Sequence, residues 1–353
     1  MDIKEFNFNP NARALAVQRI QQARVVFTTC VGAGLGLLRD EKFQIVLIDE
    51  SSQQSEPMSI IPLSKGCQRA ILVGDHVQLR GTTGKYAKTM GMEVSLFERL
   101  YGTDDEVTNH GLAKVMLDVQ YRMHPQIGEF PSREFYNGRL RAHASCQDRP
   151  VPMKGFPWPR QRQQQQQQQH LTDSPVARCV FVPCTGAEDA GYQSKGNTSQ
   201  AELSKKVYQL LTATESGASP SVAILTPYTR QVKLLQSLLP GSATVSSIDG
   251  FQGREADIII FVTVRCNPHG NIGFLSDLRR LNVVLTRARA GLIVVGCPRT
   301  LTQDVPSILG DKGVDGTMNN TSDGEKGVQQ AVDTDSIPVW KRLVASLVRV
   351  EIS

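Results

Sequence analysis

"SSIDGFQGREADIIIFVTV", residues 246–264, joins a polar, glycine-containing segment to a nearly unbroken apolar run. Such a run is typical of a strand that is buried on both faces, as in a parallel sheet covered by helices. Six more runs of this kind alternate with helical patterns: VVFTTC (25–30), QIVLIDE (44–50), AILVGD (70–75), RCVFV (178–182), VAILTPY (222–228) and LIVVG (292–296). The sequence therefore predicts an α/β fold built on parallel sheets.

Size and composition narrow the class of protein. The 353 residues suffice for about two domains, and 40% hydrophobic with 21% charged residues argue against wholesale disorder. The net charge of +5 permits nucleic-acid binding without arguing for it. The seven cysteines form no C-x-x-C pair, so they indicate neither a zinc site nor a disulfide framework, and a reducing compartment fits best.

The sequence shows neither a membrane-spanning apolar stretch nor a signal peptide at its polar start, MDIKEFNFNP. We therefore expect no membrane association and a cytoplasmic protein, with the nucleus as the alternative.

Turn-rich and low-complexity segments predict the domain organisation. A polar stretch at 101–112 indicates a boundary, and a tract of seven glutamines lies in a proline-rich segment that we interpret as a surface insertion. The predicted parts are a first domain (1–111), a second domain (112–305) with the insertion at 142–175, a disordered linker (306–337) and a C-terminal helix (338–353). Trp340 lies on the apolar face of that helix, which we expect to dock on the second domain.

Acidic and amide side chains follow two of the predicted strands. Asp49 and Glu50 come directly after IVLI, where they could hold Mg²⁺ and polarise a water, although an acid here can equally cap a helix. Asp75 and Gln78 follow ILVG, where a glutamine can sense a terminal phosphate, unless this is only a solvated loop.

Two arginines and one loop complete the candidate set. Arg122 and Arg287 are suited to stabilising charge on a transferring phosphoryl group, although Arg287 could merely offset a helix dipole. In 249–257, Gly253 permits close approach of a phosphate, and Glu255 directly precedes the strand. Gln-Gly-Arg-Glu in this position is hard to explain by packing alone, which favours a functional role.

The ordered motifs, taken together, resemble one family. TTCVGAG, IDESSQ, VGDHVQL, QYRMHP, TPYTRQ, DGFQGREAD and LNVVLTRAR occur in this order between residues 28 and 289. This set is similar to the later motifs of superfamily 1 helicases of the nonsense-mediated-decay type, and the likeness extends over roughly residues 20 to 300.

The resemblance implies two RecA-like domains, the first truncated at its N-terminus, that use Mg²⁺ and ATP to move along single-stranded RNA or DNA, 5′ to 3′. It also implies mRNA-decay factors as partners. It implies that Asp49 binds magnesium, Glu50 activates water, Gln78 reads the γ-phosphate, and Arg122 and Arg287 act as arginine fingers. Asp75, Gly253 and Glu255 would serve the nucleotide. The implied nucleic-acid contacts are Thr28, Thr29, Pro227, Tyr228, Ser247 and Gln252.

The phosphate loop of such a motor, G-x-x-x-x-G-K-[ST], does not occur in residues 1–353. Aligning Gly84 and Lys85 with it leaves Leu79 where the first glycine belongs and Tyr86 where the hydroxyl belongs. We therefore expect a C-terminal portion of a helicase, separated from its phosphate loop by truncation, that binds Mg-ATP weakly and does not unwind. We also expect an unstable first domain with uncovered apolar faces and a second domain that folds.

Two other functions remain open. The second domain could hold single-stranded nucleic acid or a decay-factor partner without turnover. An unrelated phosphate-loop enzyme would instead make Lys85 essential for nucleotide binding. A further departure is Arg80-Gly81 after Gln-Leu, where the family has a stiffening proline, which predicts a less rigid loop.

Overall fold

The computed structural model describes residues 10–102, 112–151, 155–160, 176–189, 191, 194–213, 220–302 and 336–352. Its contacts divide the chain into Met1–Val115, here unit 1, and Met116–Ser353, here unit 2. The glutamine tract and residues 306–335 of the predicted linker lie outside the described residues. Within the described ranges, no helix combines the length and apolarity needed to cross a bilayer.

Unit 1 is built on a two-stranded parallel sheet. β1 (Ile45–Ile48) pairs in register with β2 (Arg69–Leu72), as the two apolar runs predict. The described helices of this unit are α1 (Pro10–Gln22), α2 (Cys30–Ala33), α3 (Glu56–Leu63), α4 (Lys85–Thr89) and α5 (Leu96–Gly102).

One face of this small sheet is uncovered. Val46 and Ile48 of β1 are buried, whereas Ile45, Leu47 and the β2 residue Ile71 are exposed. Alternate residues of a strand point to opposite faces, so the exposed set forms one apolar face. This agrees with the expectation of uncovered apolar surface in the first domain.

The strand predicted for residues 25–30 does not form. These residues run without strand pairing into α2, and Phe27 is exposed. The apolar pattern was misleading because a strand also needs a neighbouring strand for its backbone hydrogen bonds. No strand in the described part of the chain pairs with residues 25–30.

Unit 2 contains a six-stranded sheet in which every pairing is parallel. In spatial order its strands are β10 (Val348–Arg349), β5 (Cys179–Pro183), β9 (Ala288–Gly296), β8 (Ala256–Val262), β6 (Val222–Thr226) and β7 (Thr244–Ser247). A separate parallel pair joins β3 (Val119–Gln120) to β4 (Arg141–Ala142). The predicted α/β class with parallel sheets is confirmed.

Helices cover both faces of this sheet, which explains why its sequence is so apolar. The described helices of unit 2 are α6 (Pro125–Phe135), α7 (Thr198–Thr212), α8 (Thr229–Leu238), α9 (Leu278–Leu285), α10 (Pro298–Thr302) and α11 (Ser336–Ser346). Ile258 and Ile260 pack with Val207 of α7, and Phe261 on the opposite face stacks against Trp340 of α11. Each of these side chains is almost completely buried.

The C-terminal segment packs a helix on the sheet of unit 2 and adds its edge strand, β10. Trp340 is fully buried, and its indole Nε1 donates to the carbonyl oxygen of Leu275 at 2.9 Å. The helix predicted for 338–353 ends at Ser346, and Val348 and Arg349 then pair with β5.

Candidate functional site

The acidic pair lies at the carboxyl end of β1. Asp49 and Glu50 are exposed, and Glu50 adopts a left-handed backbone with φ of 50°, an uncommon conformation for a residue other than glycine. Asp49 Oδ1 accepts from the Glu50 backbone N–H at 3.0 Å, and Glu50 Oε2 accepts from Gln53 Nε2 at 2.5 Å. Both carboxylates therefore project into solvent from a turn whose shape is fixed.

A second loop is tied to this turn by hydrogen bonds. The Ser51 backbone N–H and hydroxyl both donate to the Val73 carbonyl, and the Asp75 N–H donates to Ser52 Oγ at 3.1 Å. Asp75 Oδ2 accepts from Gln78 Nε2 at 2.7 Å. The structure thus places Asp49, Glu50, Asp75 and Gln78 at one sheet edge, because β1 and β2 run parallel.

The residues after Gln78 fix this loop without a proline. A Cβ built on Gly81 would overlap the carbonyl oxygen of Gln53, so the loop packs on the acidic turn. Arg80 forms ion pairs with Glu98 at 2.5 Å and Glu93 at 2.9 Å, and the hydrogen bond with Glu98, followed by the contact with Glu93, raises the pKa of its guanidinium. The expected lack of stiffening is therefore offset by a side-chain network that the sequence motif did not reveal.

Thr28 and Thr29 are exposed and precede α2. Thr29 Oγ1 accepts from the Gly32 backbone N–H at 3.0 Å and so caps this short helix. A Cβ on Gly32 would come within 2.6 Å of Thr28 Oγ1. The absence of a side chain at Gly32 therefore allows both threonine side chains to pack against the first turn of α2.

Two predicted nucleic-acid segments meet at the carboxyl edge of the unit 2 sheet. Thr226 and Ser247 are register partners, so Pro227 and the segment leading to Gln252 leave adjacent strands. Tyr228, in contrast, is only 2% exposed, and its hydroxyl accepts from Arg265 Nη1 at 3.4 Å. Its ring is thus buried beneath this surface.

Glu255 lies among arginines at the amino edge of the same sheet. Its carboxylate accepts from Arg122 Nε at 2.6 Å and lies 3.8 Å from Arg289 Nε. The hydrogen bond from Arg122, helped by the charges of Arg289 and Arg149, lowers the pKa of Glu255. Gly253, with φ of 74°, provides the turn that leads into β8.

Arg287 is buried at the end of α9, only 3% exposed. Its Nε donates to the Val283 carbonyl at 2.9 Å, and its Nη2 donates to Thr286 Oγ1 at 3.1 Å. The alternative interpretation, an arginine that satisfies the C-terminus of a helix, thus has direct contacts in its favour.

The predicted residues of unit 2 fall into two groups that the structure keeps apart. Glu255 and Arg287 precede the starts of β8 and β9, whereas Pro227 and Ser247 follow or end their strands. A strand rises about 3.3 Å per residue, so the length of β8 separates the two groups by roughly 20 Å. The two edges follow from the sequence only once every strand is known to run parallel, since residues before a strand then reach one edge and residues after it the other.

Several ion pairs beside the carboxyl edge of this sheet could not be predicted from the sequence. Asp249 receives Arg280 Nε at 3.0 Å, and Arg265 pairs with Glu188 at 2.9 Å with little exposure of either side chain. The exposed ring of Phe274 lies beside them. Arg280 and Phe274 lie in "IGFLSDLRRLNV" (272–283), a string similar to the helicase family that carries no recognised chemical motif, whereas Asp249 lies in the motif DGFQGREAD.

The donor set fits a magnesium ion that arrives with a nucleotide. No cluster of three or more His, Cys, Asp or Glu side chains suited to a metal occurs among the residues that the structure describes. Mg²⁺ is commonly held by one or two carboxylates together with substrate phosphates, so the exposed Asp49 carboxylate is sufficient as the protein's ligand.

Acids at the carboxyl ends of two linked parallel strands, together with arginines around Glu255, are typical of an α/β protein that uses a nucleotide. Comparison with known proteins specifies the family: two models, each described as an AAA domain, match residues 92–299 and 4–85. The chain belongs to this AAA-domain family, within the superfamily 1 helicases of the nonsense-mediated-decay type. The resemblance found in the sequence is confirmed.

Individual relatives agree with this placement. The chain is 39% identical over 306 residues to "Regulator of nonsense transcripts 1 homolog" of Drosophila melanogaster, covering 82% of this chain and 24% of that protein. It is 38% identical over 304 residues to "ATP-dependent helicase NAM7" of Saccharomyces cerevisiae, covering 83% and 29%. The chain thus spans about a quarter of the length of these relatives.

Solved structures show only distant likeness. "The structure of PRRSV helicase" matches with 14% identity and a TM-score of 0.34, over 72% of this chain and 34% of that one. The arterivirus nonstructural protein 10 helicase with DNA gives 13% identity and a TM-score of 0.35, over 72% and 40%.

Proposed function

We propose that the chain carries nucleotide- and nucleic-acid-binding machinery of an ATP-dependent RNA helicase that moves 5′ to 3′. The observation that carries the proposal is the grouping of Asp49, Glu50, Asp75 and Gln78 at one edge of the unit 1 sheet. The loops that follow β1 and β2 are joined by hydrogen bonds, so a phosphate bound by one loop can also affect the other. The yeast relative is named an ATP-dependent helicase, which supports the same activity.

The proposed roles in unit 1 follow from exposure and hydrogen bonding. Asp49 binds Mg²⁺ and Glu50 polarises the attacking water, since both carboxylates are exposed beside a strand end. Gln78 senses the γ-phosphate, and its present bond to Asp75 gives it an alternative partner when that phosphate leaves. Bound Mg-ATP would supply the phosphoryl group and its charge-neutralising cation.

In unit 2 we assign Arg122, Glu255 and Gly253 to the nucleotide, with Arg287 as the second arginine. Arg122 is the better supported arginine, because its side chain is partly exposed while Arg287 is buried. Thr28, Thr29, Pro227, Ser247 and Gln252 are assigned to single-stranded RNA or DNA.

The proposed partners beyond nucleic acid are mRNA-decay factors, on the strength of relatives named regulators of nonsense transcripts. A cytoplasmic location is proposed on the same basis.

A non-catalytic binding module is the second candidate function. It is favoured by the absence of the G-x-x-x-x-G-K-[ST] pattern from residues 1–353, since nucleotide affinity in this fold depends heavily on that loop. In this case RNA binding would not depend on nucleotide at all.

One experiment separates the two functions. The affinity of the purified chain for fluorescent single-stranded RNA is measured with and without millimolar Mg²⁺ and a non-hydrolysable ATP analogue. The motor assignment predicts a nucleotide-dependent change in Kd that disappears in Asp49→Ala and Arg122→Ala. A Kd that does not change with nucleotide refutes the motor assignment and supports the binding module. Absence of RNA binding by the wild-type chain refutes both functions.

Turnover is tested separately. We expect no RNA-stimulated ATP hydrolysis by these 353 residues alone. Hydrolysis that is abolished by Glu50→Gln would overturn this expectation while supporting the roles assigned in unit 1.

A further inference from the structure

Phe274 is an exposed aromatic ring for which the motif assignment provides no role. It is 43% exposed, and Tyr121 is the other exposed aromatic side chain in the described part of unit 2. Single exposed apolar residues are ordinary on protein surfaces, so exposure alone carries no function. The residues around this ring, however, hold it in a fixed orientation beside the predicted nucleic-acid segments.

The backbone beneath Phe274 is held from several sides. Gly273 has φ of 53°, and a Cβ there would overlap the Arg265 guanidinium and lie 2.9 Å from the Tyr228 hydroxyl. The Gly273 N–H donates to Asn271 Oδ1 at 2.9 Å, and the next carbonyl after Phe274, that of Leu275, accepts from the buried Trp340 indole. The ring is therefore presented by a rigid turn.

The buried Tyr228 backs the Phe274 ring. The two ring centroids are 5.6 Å apart with an interplanar angle of 60°, a tilted packing that fixes the inner side of Phe274. A ring immobilised before binding loses little rotamer entropy when a ligand stacks on it.

The same ring adjoins the segment that follows β7. The guanidinium carbon of Arg280 lies 6.0 Å from the Phe274 centroid, and Arg280 in turn donates to Asp249 at 3.0 Å. Asp249 begins the turn whose Gly250 N–H donates to Ser247 Oγ at 3.1 Å. Phe274 thus belongs to the carboxyl-edge surface that also includes Pro227 and Ser247.

We propose that Phe274 is a stacking platform for one nucleobase of single-stranded nucleic acid, and that Tyr228 is its positioning residue and does not touch the strand. The inference rests on the proposed nucleic-acid binding and adds a contact residue to it. Every base has a π-face, so a single aromatic platform provides affinity without sequence preference. This suits a motor that must pass along any sequence.

The test measures binding of the full chain to a fluorescent 15-nucleotide uridine oligomer and to an abasic ribose-phosphate oligomer of the same length. We expect Phe274→Ala to weaken uridine binding by about 5- to 100-fold. Phe274→Trp should retain it, because indole also stacks. The slope of affinity against salt should stay unchanged, since no phosphate contact is lost.

Tyr121→Ala is the matched control, because this exposed ring of the same unit packs at a tilt against His143, with ring centroids 4.5 Å apart, and its loss should not affect RNA affinity. Phe274→Leu keeps apolar surface without a π-face, so it should behave like alanine, and thermal unfolding confirms that each variant folds.

The outcomes separate this inference from the proposed function. Wild-type binding with unchanged affinity in Phe274→Ala overturns the platform alone, as does an equal loss on the abasic oligomer. Failure of the wild type to bind either RNA refutes the proposed function itself.

Discussion

At the residue scale, Tyr228 is a motif residue that lies buried and supports the exposed ring of Phe274. Its ring is buried, and its hydroxyl accepts a long hydrogen bond from Arg265. We expect Tyr228→Ala to lower the free energy of unfolding by about 3 to 5 kcal/mol, as for other buried aromatic residues. Tyr228→Phe should cost less than about 1 kcal/mol.

Chemical denaturation monitored by circular dichroism measures both changes, with Phe274→Ala as the exposed control. A Tyr228→Ala variant as stable as the wild type would show that the ring is not part of the core. The distinction matters because loss of RNA binding in an unfolded Tyr228 variant carries no information about stacking.

A second residue predicts a dependence on pH. His124 Nδ1 accepts from the Gln126 backbone N–H at 3.2 Å and caps α6, which requires an unprotonated ring nitrogen. Burial, together with the charge of Arg178, lowers the pKa of His124 from 6.5 to about 4. Above pH 6.5 the ring is neutral in both states and contributes no pH dependence.

Between these two pH values the unfolded chain binds a proton that the folded chain does not, so stability should fall as the pH drops from about 6.5 to 4. His124→Asn keeps a capping acceptor but does not titrate. Denaturation at several pH values should therefore show a flatter profile for the variant over this window. Parallel profiles would contradict the assignment.

At the element scale, the two linked loops of unit 1 depend on glycine for their close approach. A Cβ at Gly81 would overlap the Gln53 carbonyl, whereas nothing lies within 4 Å of a Cβ at Gly84. We expect Gly81→Ala to destabilise unit 1 and to raise hydrogen exchange in residues 49–54. Gly84→Ala, three residues away, should have little effect on either.

Both glycine variants are compared by thermal unfolding and hydrogen exchange under the same conditions. Equal behaviour would show that the loop moves aside without cost, and that Gly81 does not fix the acidic turn. The phosphate-loop alternative is tested separately by nucleotide binding to Lys85→Ala, since only that alternative makes Lys85 essential.

At the scale of the whole molecule, the two units differ in how much core their sheets provide. Unit 1 has a two-stranded sheet with an exposed apolar face, whereas the central strands of unit 2 are buried on both faces. Two-stranded sheets are marginal in water without further packing. We therefore expect slower amide exchange in β8 and β9 than in β1 and β2.

Hydrogen exchange with mass spectrometry on the intact chain checks this expectation. Protection factors that are equal in the two sheets would contradict it, and with it the expectation that the first domain alone is unstable while the second can fold.

The sequence by itself determined the α/β class, most strands and the family. The runs that became β5, β6, β8 and β9 are so apolar that only burial on both faces suits them, and the motifs keep a recognisable order. These are local properties, so they can be read along the chain.

The tertiary structure alone decided which of the motif residues are accessible and where they meet. It buried Tyr228 and Arg287, exposed Phe274, placed Glu255 at the opposite sheet edge from Ser247, and pressed Gly81 against Gln53. Each outcome depends on partners distant in sequence, as with Trp340 and Leu275, 65 positions apart. Burial and strand neighbours are set by the folded chain as a whole, so no local pattern contains them.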